Sequence, residues 1–285
     1  MTGNLFSGAW AISEFHAQQV KQAILGGLFT PNPLGYPSAL VAPSHVQQAA
    51  DYSYAKWVVD YLSIGKASDV VVIPVTGTMT RGYSYDNYFS NTFIMQLLAK
   101  VGEDDSKKGA ILQFNTGGGT VDSTDEFATA VANLNKIKPV VGAINYCASA
   151  GIWVASQCRE LIMSTGPTAK VGSIGTIYLH TNVSKALEKA GTDVQIFRST
   201  GSVDKARINA IEPLDEELMA SIIADLDVSN KAFKGAVRLG RAGKIKSDEL
   251  FTGKMYNTTQ ALSNGLADRT GDVNTAYQRV LQLSK

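Results

Sequence analysis

Cysteine is scarce: Cys147 and Cys158 are the two cysteines in 285 residues. That excludes a disulfide-built scaffold and fits a reducing compartment. Both lie near Ser149 in the chain, and small buried apolar side chains are a simpler reading for them than a redox or nucleophilic role. Net charge is nearly absent too, with 26 Lys plus Arg against 25 Asp plus Glu. This argues against a general binder of nucleic acid or anionic membranes. The basic residues clustered between Lys231 and Lys246 read as a solvated helix face rather than a binding patch. The three histidines, His16, His45 and His180, form no H-x-x-x-H pair, so no metal site is expected. No apolar window approaches the ~18 residues needed to cross a bilayer. Met1 to Ser13 lacks the basic start and apolar stretch of a secretory leader. The expectation is a soluble, cytoplasmic protein with no membrane anchor, nucleic-acid partner, metal or cofactor.

What is present is the composition of a folded chain: 45% apolar and 18% charged residues. The length suits one large domain, or one domain with appended segments. Residues 1–66 read as a helical N-terminal segment. Helix-like apolar spacing runs from Trp10 to Leu25 and from His45 to Leu62, around a Gly- and Pro-containing loop from Gly26 to Pro43. An oligomerisation arm is its expected role. Residues 67–285 form the expected catalytic domain, in which β-rich runs alternate with helical stretches. The runs are Val70–Val75, Gly109–Phe114, Pro139–Ile144, Glu160–Met163, Gly172–Leu179 and Asp193–Phe197. Between the second and third, Phe127, Val131 and Leu134 share a helix face, with Asp122 and Ser123 as start signals. Leu218, Ile222 and Leu226 predict a long amphipathic helix over 214–241. The alternation argues for an α/β fold with largely parallel strands.

Three segments carry candidate chemistry. In Asn115-Thr116-Gly117-Gly118-Gly119-Thr120-Val121, glycines permit close approaches that other residues cannot make, and backbone N–H groups there can face a developing oxyanion. A simple strand-to-helix turn is the plainer alternative, and the Lys-Ser/Thr pair of a phosphate loop is missing. In Cys147-Ala148-Ser149-Ala150-Gly151, small residues allow a sharp turn into a helix. Ser149 then sits at a helix N-terminus, either as an ordinary cap or as a nucleophile beside the Ala150 N–H. In Val171-Gly172-Ser173-Ile174-Gly175, followed by Gly201-Ser202-Val203-Asp204-Lys205, the chain offers a lysine that can serve as base if burial lowers its pKa. A surface lysine is the default reading.

Taken in order, these segments resemble the signal peptide peptidase A family and the related phage head-maturation peptidases. The family's Asp-Ser-Pro-Gly-Gly-like turn reads Asn115-Thr116-Gly117-Gly118-Gly119 here, and its Ala-Ser-Gly-Gly reads Ala148-Ser149-Ala150-Gly151. Its Gly-Ser-Ile-Gly is intact at Gly172–Gly175, and Ala261 to Asp268 is similar to its closing Ala-x-x-x-Gly-Leu-x-Asp. The likeness covers about residues 70–275. It implies a ClpP/crotonase-like fold of repeated β-β-α units and a serine peptidase with a Ser-Lys dyad that works through an acyl-enzyme. Ser149 is the implied nucleophile, Lys205 the base and Ser173 the group orienting that lysine. Gly118 and Ala150 supply the oxyanion N–H groups, and Gly119 and Thr120 lie along the substrate strand. One departure concerns the base: the family's Gly-x-x-Lys is one residue longer here, at Gly201-x-x-x-Lys205. The implied partners are a peptide or unfolded protein substrate and further copies of the chain in a ring or closed assembly. A phage or prophage capsid or scaffold maturation role fits the lack of an anchor. Competing readings are a ClpP-like Ser-His peptidase using His180, an acyl-CoA enzyme of the crotonase fold, and a silent scaffold.

Overall fold

Apolar runs buried on both faces form the centre of the molecule. The computed structural model describes residues 10–12 and 48–285, with side chains from Tyr54 onward. Its central strands are β3 (Val70–Met79), β4 (Gly109–Thr120), β5 (Val140–Ala148) and β6 (Glu160–Met163), parallel in that order. Parallel strands need crossovers, and here these are helices α2 (Asn91–Glu103), α3 (Thr124–Ile137) and α4 (Ala150–Ala155). Helix α2 starts where the Ser90 side chain accepts the Phe93 N–H, a cap that satisfies one of the orphan donors of a helix start. Helix α3 buries Phe127, Val131 and Leu134, the face its spacing predicts. These helices and α1 (Gln48–Tyr61), through Ala55, Val58 and Val59, pack on one side of the sheet. On the other side α8 (Val273–Leu283) sets Ala276 and Val280 against Val70, Ile111, Val141 and Ile162. Layers on both faces explain why these strands read as continuous apolar runs.

Each long strand is bent, and the bends build the site. Pairing of β3 with β4 slips at Thr76/Thr78, and pairing of β4 with β5 slips at Phe114/Asn115. Strand β5 pairs through Val141–Ile144 with β6, then through Tyr146–Ala148 with β7 (Lys170–Gly172). A bent strand followed by a helix is the β-β-α repetition that the resemblance implied, and the class is α/β.

Several expectations need correction. Asn115–Thr120 is not a turn after a strand but the bulged end of β4, in register with Thr76 to Met79. Its glycine has a packing reason: a Cβ on Gly119 would lie 1.8 Å from the Met79 carbonyl oxygen. The strand expected over Gly172–Leu179 ends at Gly172, because Gly172 has φ +140° and Ser173 has φ +57°, neither of them extended. Asp193–Phe197 forms no strand, for no neighbouring strand pairs with it and Phe197 is exposed. Trp10–Ile12 is strand β1, paired antiparallel with β4, rather than helix; the rest of that expected helix, Ser13 to Leu25, lies outside the described residues. Three short strands had no counterpart in the reading: β2 (Ser63–Ile64) on β3, β8 (Met255–Asn257) on β7 and β9 (Arg269–Thr270) on β6.

The closing motif proves architectural. Helix α6 (Glu216–Gly240) ends at Arg241, which is fully buried. Its guanidinium donates to the Gly265 carbonyl and to both oxygens of Asp268, at 2.7 and 3.0 Å. Asp268 also accepts from Lys244 Nζ at 2.6 Å and from the Leu161 N–H at 2.7 Å. Gly265 caps α7 (Thr258–Asn264) at φ +82°, where a Cβ would meet the Lys244 carbonyl oxygen at 1.8 Å. Part of the basic cluster is thus committed to Asp268, and Arg241 is no surface cation. Burial would raise the pKa of Asp268, but the Arg241 hydrogen bond and charge, Lys244 and the Leu161 N–H outweigh it and hold the carboxyl low.

Removing the Asp268 carboxylate leaves Arg241 buried without its counter-charge. Asp268→Ala is expected to cost about 3–5 kcal/mol, read as a lower urea midpoint. Because the folded pKa of Asp268 is depressed, its contribution is complete above the unfolded value of about 3.9 and is lost as pH falls through the folded value. The variant should therefore lose less stability on acidification than the wild type. Gly119→Ala, which forces β3 and β4 apart, is expected to cost about 1–3 kcal/mol in the same assay.

Candidate active site

The carboxyl ends of β4, β5 and β7 converge, which is where sites form in open parallel sheets. Register fixes the convergence: Thr116 pairs with Cys147, and Ala148 pairs with Gly172. Ser149 follows Ala148, Ser173 follows Gly172, and Gly118 lies two residues past Thr116. Ser149, Ser173 and the Gly-rich segment, far apart in sequence, are neighbours for this reason.

Ser149 is wholly buried, and its Oγ has no hydrogen-bond partner. Its backbone sits at φ +56°, ψ −118°, a conformation costly for a residue with a Cβ and one that clusters at functional sites. Two bonds hold it there. The Ser149 N–H donates to the Gly172 carbonyl at 2.8 Å, and its own carbonyl accepts from the Trp153 N–H at 3.1 Å. Its side chain makes no capping bond, so the ordinary-cap alternative does not describe this serine. Ala150 is the first residue of α4, whose leading N–H groups have no partner within the helix. Trp153 stacks on Phe233 at 4.7 Å and ties that short helix to α6.

Thr116 organises the glycine strand. Its hydroxyl donates to the Gly77 carbonyl at 2.6 Å and accepts from the Gly118 N–H at 3.0 Å. The N–H expected to face an oxyanion is thus turned to Thr116 in this state. A Cβ on Gly151 would meet the Thr116 methyl at 2.8 Å, so the same threonine sits against the nucleophile helix. Motif reading passed over Thr116, although a hydroxyl residue before the glycines was visible.

Lys205 is exposed, in the long segment between α5 (Ser184–Lys189) and α6. Neither Lys205 nor His180 bonds to Ser149 Oγ, and the His180 Nε2 is itself buried without a partner. Ser173 is half-buried, and its N–H donates to the Lys254 carbonyl at 2.8 Å. The lysine's backbone is nonetheless built. Arg198 donates to the Lys205 carbonyl at 2.6 Å and to the Ala206 carbonyl at 3.1 Å, and it pairs bidentately with Glu212 at 2.9 and 2.5 Å. Ala206 adopts φ +57°. Arg198 and Glu212 carried no motif signal, because an ion pair 14 residues apart is a product of the fold. Burial pushes both cysteine thiols up, Cys158 also feeling Arg241 and Asp268. Both thiols are free and buried, and burial disfavours the reactive thiolate. Among the described residues no group of His, Cys, Asp and Glu forms a metal cluster.

The sequence is similar to several known proteins. Protease 4 of Haemophilus influenzae is 27% identical over 217 residues, 75% of this chain and 34% of that protein. Capsid assembly protease C of Escherichia phage lambda is 28% identical over 207 residues, 70% of this chain and 46% of that protein. The chain therefore spans between a third and a half of the length of these relatives. Among solved structures, an enoyl-CoA hydratase from Polaromonas sp. JS666 aligns over 78% of this chain and 76% of its own, at 9% identity and a TM-score of 0.44. The model of peptidase family S49 matches residues 132–285, more than half of the chain and the part that holds Ser149, Ser173 and Lys205. By that match the chain belongs to peptidase family S49.

Proposed function

We propose that the chain is a serine endopeptidase that cleaves extended or unfolded protein through an acyl-enzyme, with Ser149 as nucleophile and Lys205 as base. The observation that carries this reading is Ser149 itself: strained, buried, with an unpartnered hydroxyl, at the start of a helix and beside a glycine strand. Strain of this kind costs of order 1–3 kcal/mol and persists only where surrounding structure enforces it. Ser149 adds to the scissile carbonyl while Lys205 takes its proton and later gives one to the leaving amine. The Ala150 N–H and the Gly118 N–H, once released from Thr116, hold the oxyanion. Water then frees the acyl group. Substrate pairs by its main chain along Gly119 and Thr120, with no cofactor.

The dyad requires the segment carrying Lys205 to close on Ser149. Phe197 and Val203 in that segment are 88% and 71% exposed, apolar side chains open to a partner. Packing against a second copy supplies it, and we propose a homo-oligomer in which this contact seats the lysine. No helix of the described residues is long and apolar enough to cross a membrane. The likeness to a phage capsid assembly protease favours a phage or prophage capsid or scaffold protein, met in the cytoplasm, as the proposed substrate.

Casein incubated with wild type, Ser149→Ala, Lys205→Ala and Arg198→Ala, with fragments read by mass spectrometry, tests the assignment. Ser149→Ala should lose several orders of magnitude in rate. Lys205→Ala should lose about 10²–10⁴-fold, the usual worth of a general base. Arg198→Ala should lose up to about 10²-fold, through misplacement of Lys205, and should shift the pH at which the rate rises; Arg198→Lys should not restore it. Cutting by Lys205→Ala at the wild-type rate overturns the dyad, and His180→Ala becomes the next variant. Phe197→Asp should lower the mass measured by light scattering and the activity together.

A further inference from the structure

Strand β1 lies on the proposed substrate edge. Trp10, Ala11 and Ile12 pair antiparallel with Thr120, Gly119 and Gly118. A strand has two edges, and on one of them Gly118 and Gly119 pair with Thr78 and Met79 of β3. Strand β1 therefore takes the other edge, the one β5 occupies further back, up to Thr116 opposite Cys147. Strand β5 ends at Ala148 and turns through Ser149 into α4. The three residues of β1 fill the place in the sheet that this turn vacates.

Direction matters as much as place. With Trp10 opposite Thr120 and Ile12 opposite Gly118, the chain runs toward the Thr116–Cys147 pairing. Its carboxyl end points to the serine loop. An extended substrate must have this polarity for its acyl side to lie along the strand and its scissile carbonyl to reach the nucleophile beside the oxyanion donors. A strand running the opposite way, parallel to β4, would point its amino end there.

We propose that the chain is its own first substrate, held by β1 in the acyl-side track and cut after Ile12. The inference rests on the peptidase reading above. Ser149 Oγ adds to the Ile12 carbonyl carbon, and the bond from that carbon to the Ser13 nitrogen breaks as the nitrogen takes a proton. Water then hydrolyses the ester, leaving an Ile12 carboxylate and the free Ser149 hydroxyl. The Gly118 N–H still faces Thr116, so the structure corresponds to the track filled before reaction. Until cleavage, β1 excludes other chains from the same edge.

Two measurements on the full chain test this. The first uses Ser149→Ala, in which nothing is cut, with and without Ala11→Pro and Ile12→Pro together. In an antiparallel pair alternate residues donate to the partner strand, so replacing both removes whichever N–H points to β4. Amide hydrogen exchange at Gly118 to Thr120 should be slow in Ser149→Ala and at least ten-fold faster in the triple variant; equal rates overturn the proposal. The second follows the intact mass and N-terminal sequence of the wild type over time, beside casein cleavage by the same sample. A Ser149-dependent product beginning at Ser13 is expected, formed at a rate independent of protein concentration once light scattering shows the chain fully assembled. Cleavage of casein with the N-terminus left whole, or cut elsewhere, overturns self-cleavage while the peptidase reading stands. If neither casein nor the N-terminus is cut and Ser149 resists a fluorophosphonate probe, the peptidase reading falls and self-cleavage falls with it.

Discussion

The hydrogen bond from the Ser149 N–H to the Gly172 carbonyl, 2.8 Å long, sets the geometry on which the site turns. It continues the β5–β7 ladder one step beyond Ala148 opposite Gly172. The serine is thereby fixed at the last point where the sheet still controls the backbone. One residue later the chain is helical. A positive φ at Ser149 joins the two, and the strain is borne because both neighbours are locked: strand pairing behind, and the Ser149 carbonyl to Trp153 N–H bond ahead. Gly172, at φ +140°, has no room for a Cβ, since the Lys254 carbonyl would lie 2.3 Å away. The same glycine thus turns its carbonyl to Ser149 and lets β8 approach. The Gly-Ser-Ile-Gly motif serves the nucleophile's backbone before any question of orienting a lysine arises.

Serine and lysine differ in how far the isolated chain builds them. Ser149 lies where core strands and α4 meet, so its position is paid for by burial common to the whole fold. Lys205 lies in a segment whose order comes from ion pairs at the surface: Arg198 with Glu212, and Arg207 with Asp204 and Asp215. Exposed pairs contribute little each. They give the segment a shape, and its end is tied to the start of α5 by the Val183 N–H to the Ala210 carbonyl and by Asn182 to the Ile211 and Glu212 carbonyls. In the proposed dyad, a base that arrives only with contact from a second copy would keep Ser149 unactivated until then.

Much of the fold was legible in the sequence because the central strands are buried on both faces, and runs such as Val70–Val75 leave few other structures open. The helix over 124–137 was legible from Phe127, Val131 and Leu134. The place of Ser149 at a strand-to-helix turn was legible because the small residues around it allow such a turn. The glycine segment was misread: glycine spaced for close strand approach looks the same in sequence as glycine spaced for a turn, and the Met79 carbonyl that decides the matter lies some forty residues away. Asp193–Phe197 has strand-like residues but no strand beside it, and pairing partners are not written in a local pattern. Trp10–Ile12 fits a helical period over a longer window, and three residues cannot show that an edge awaits them. The Arg241–Asp268 pair is likewise a meeting of distant residues.

Three glycines at the end of β4 leave an edge made almost wholly of main chain. Such an edge can pair with a strand by backbone polarity and extension rather than by side chain. It is also a standing liability, because an unpaired edge recruits whatever strand is near. The segment present at the highest effective concentration is one on the same chain, and β1 is that segment. Edge protection and substrate recognition are then the same pairing: the groups that must be covered in the resting chain are those that must be free for an incoming one. A strand that both covers the edge and has the polarity of a substrate satisfies the first demand, and its removal by the site it covers satisfies the second.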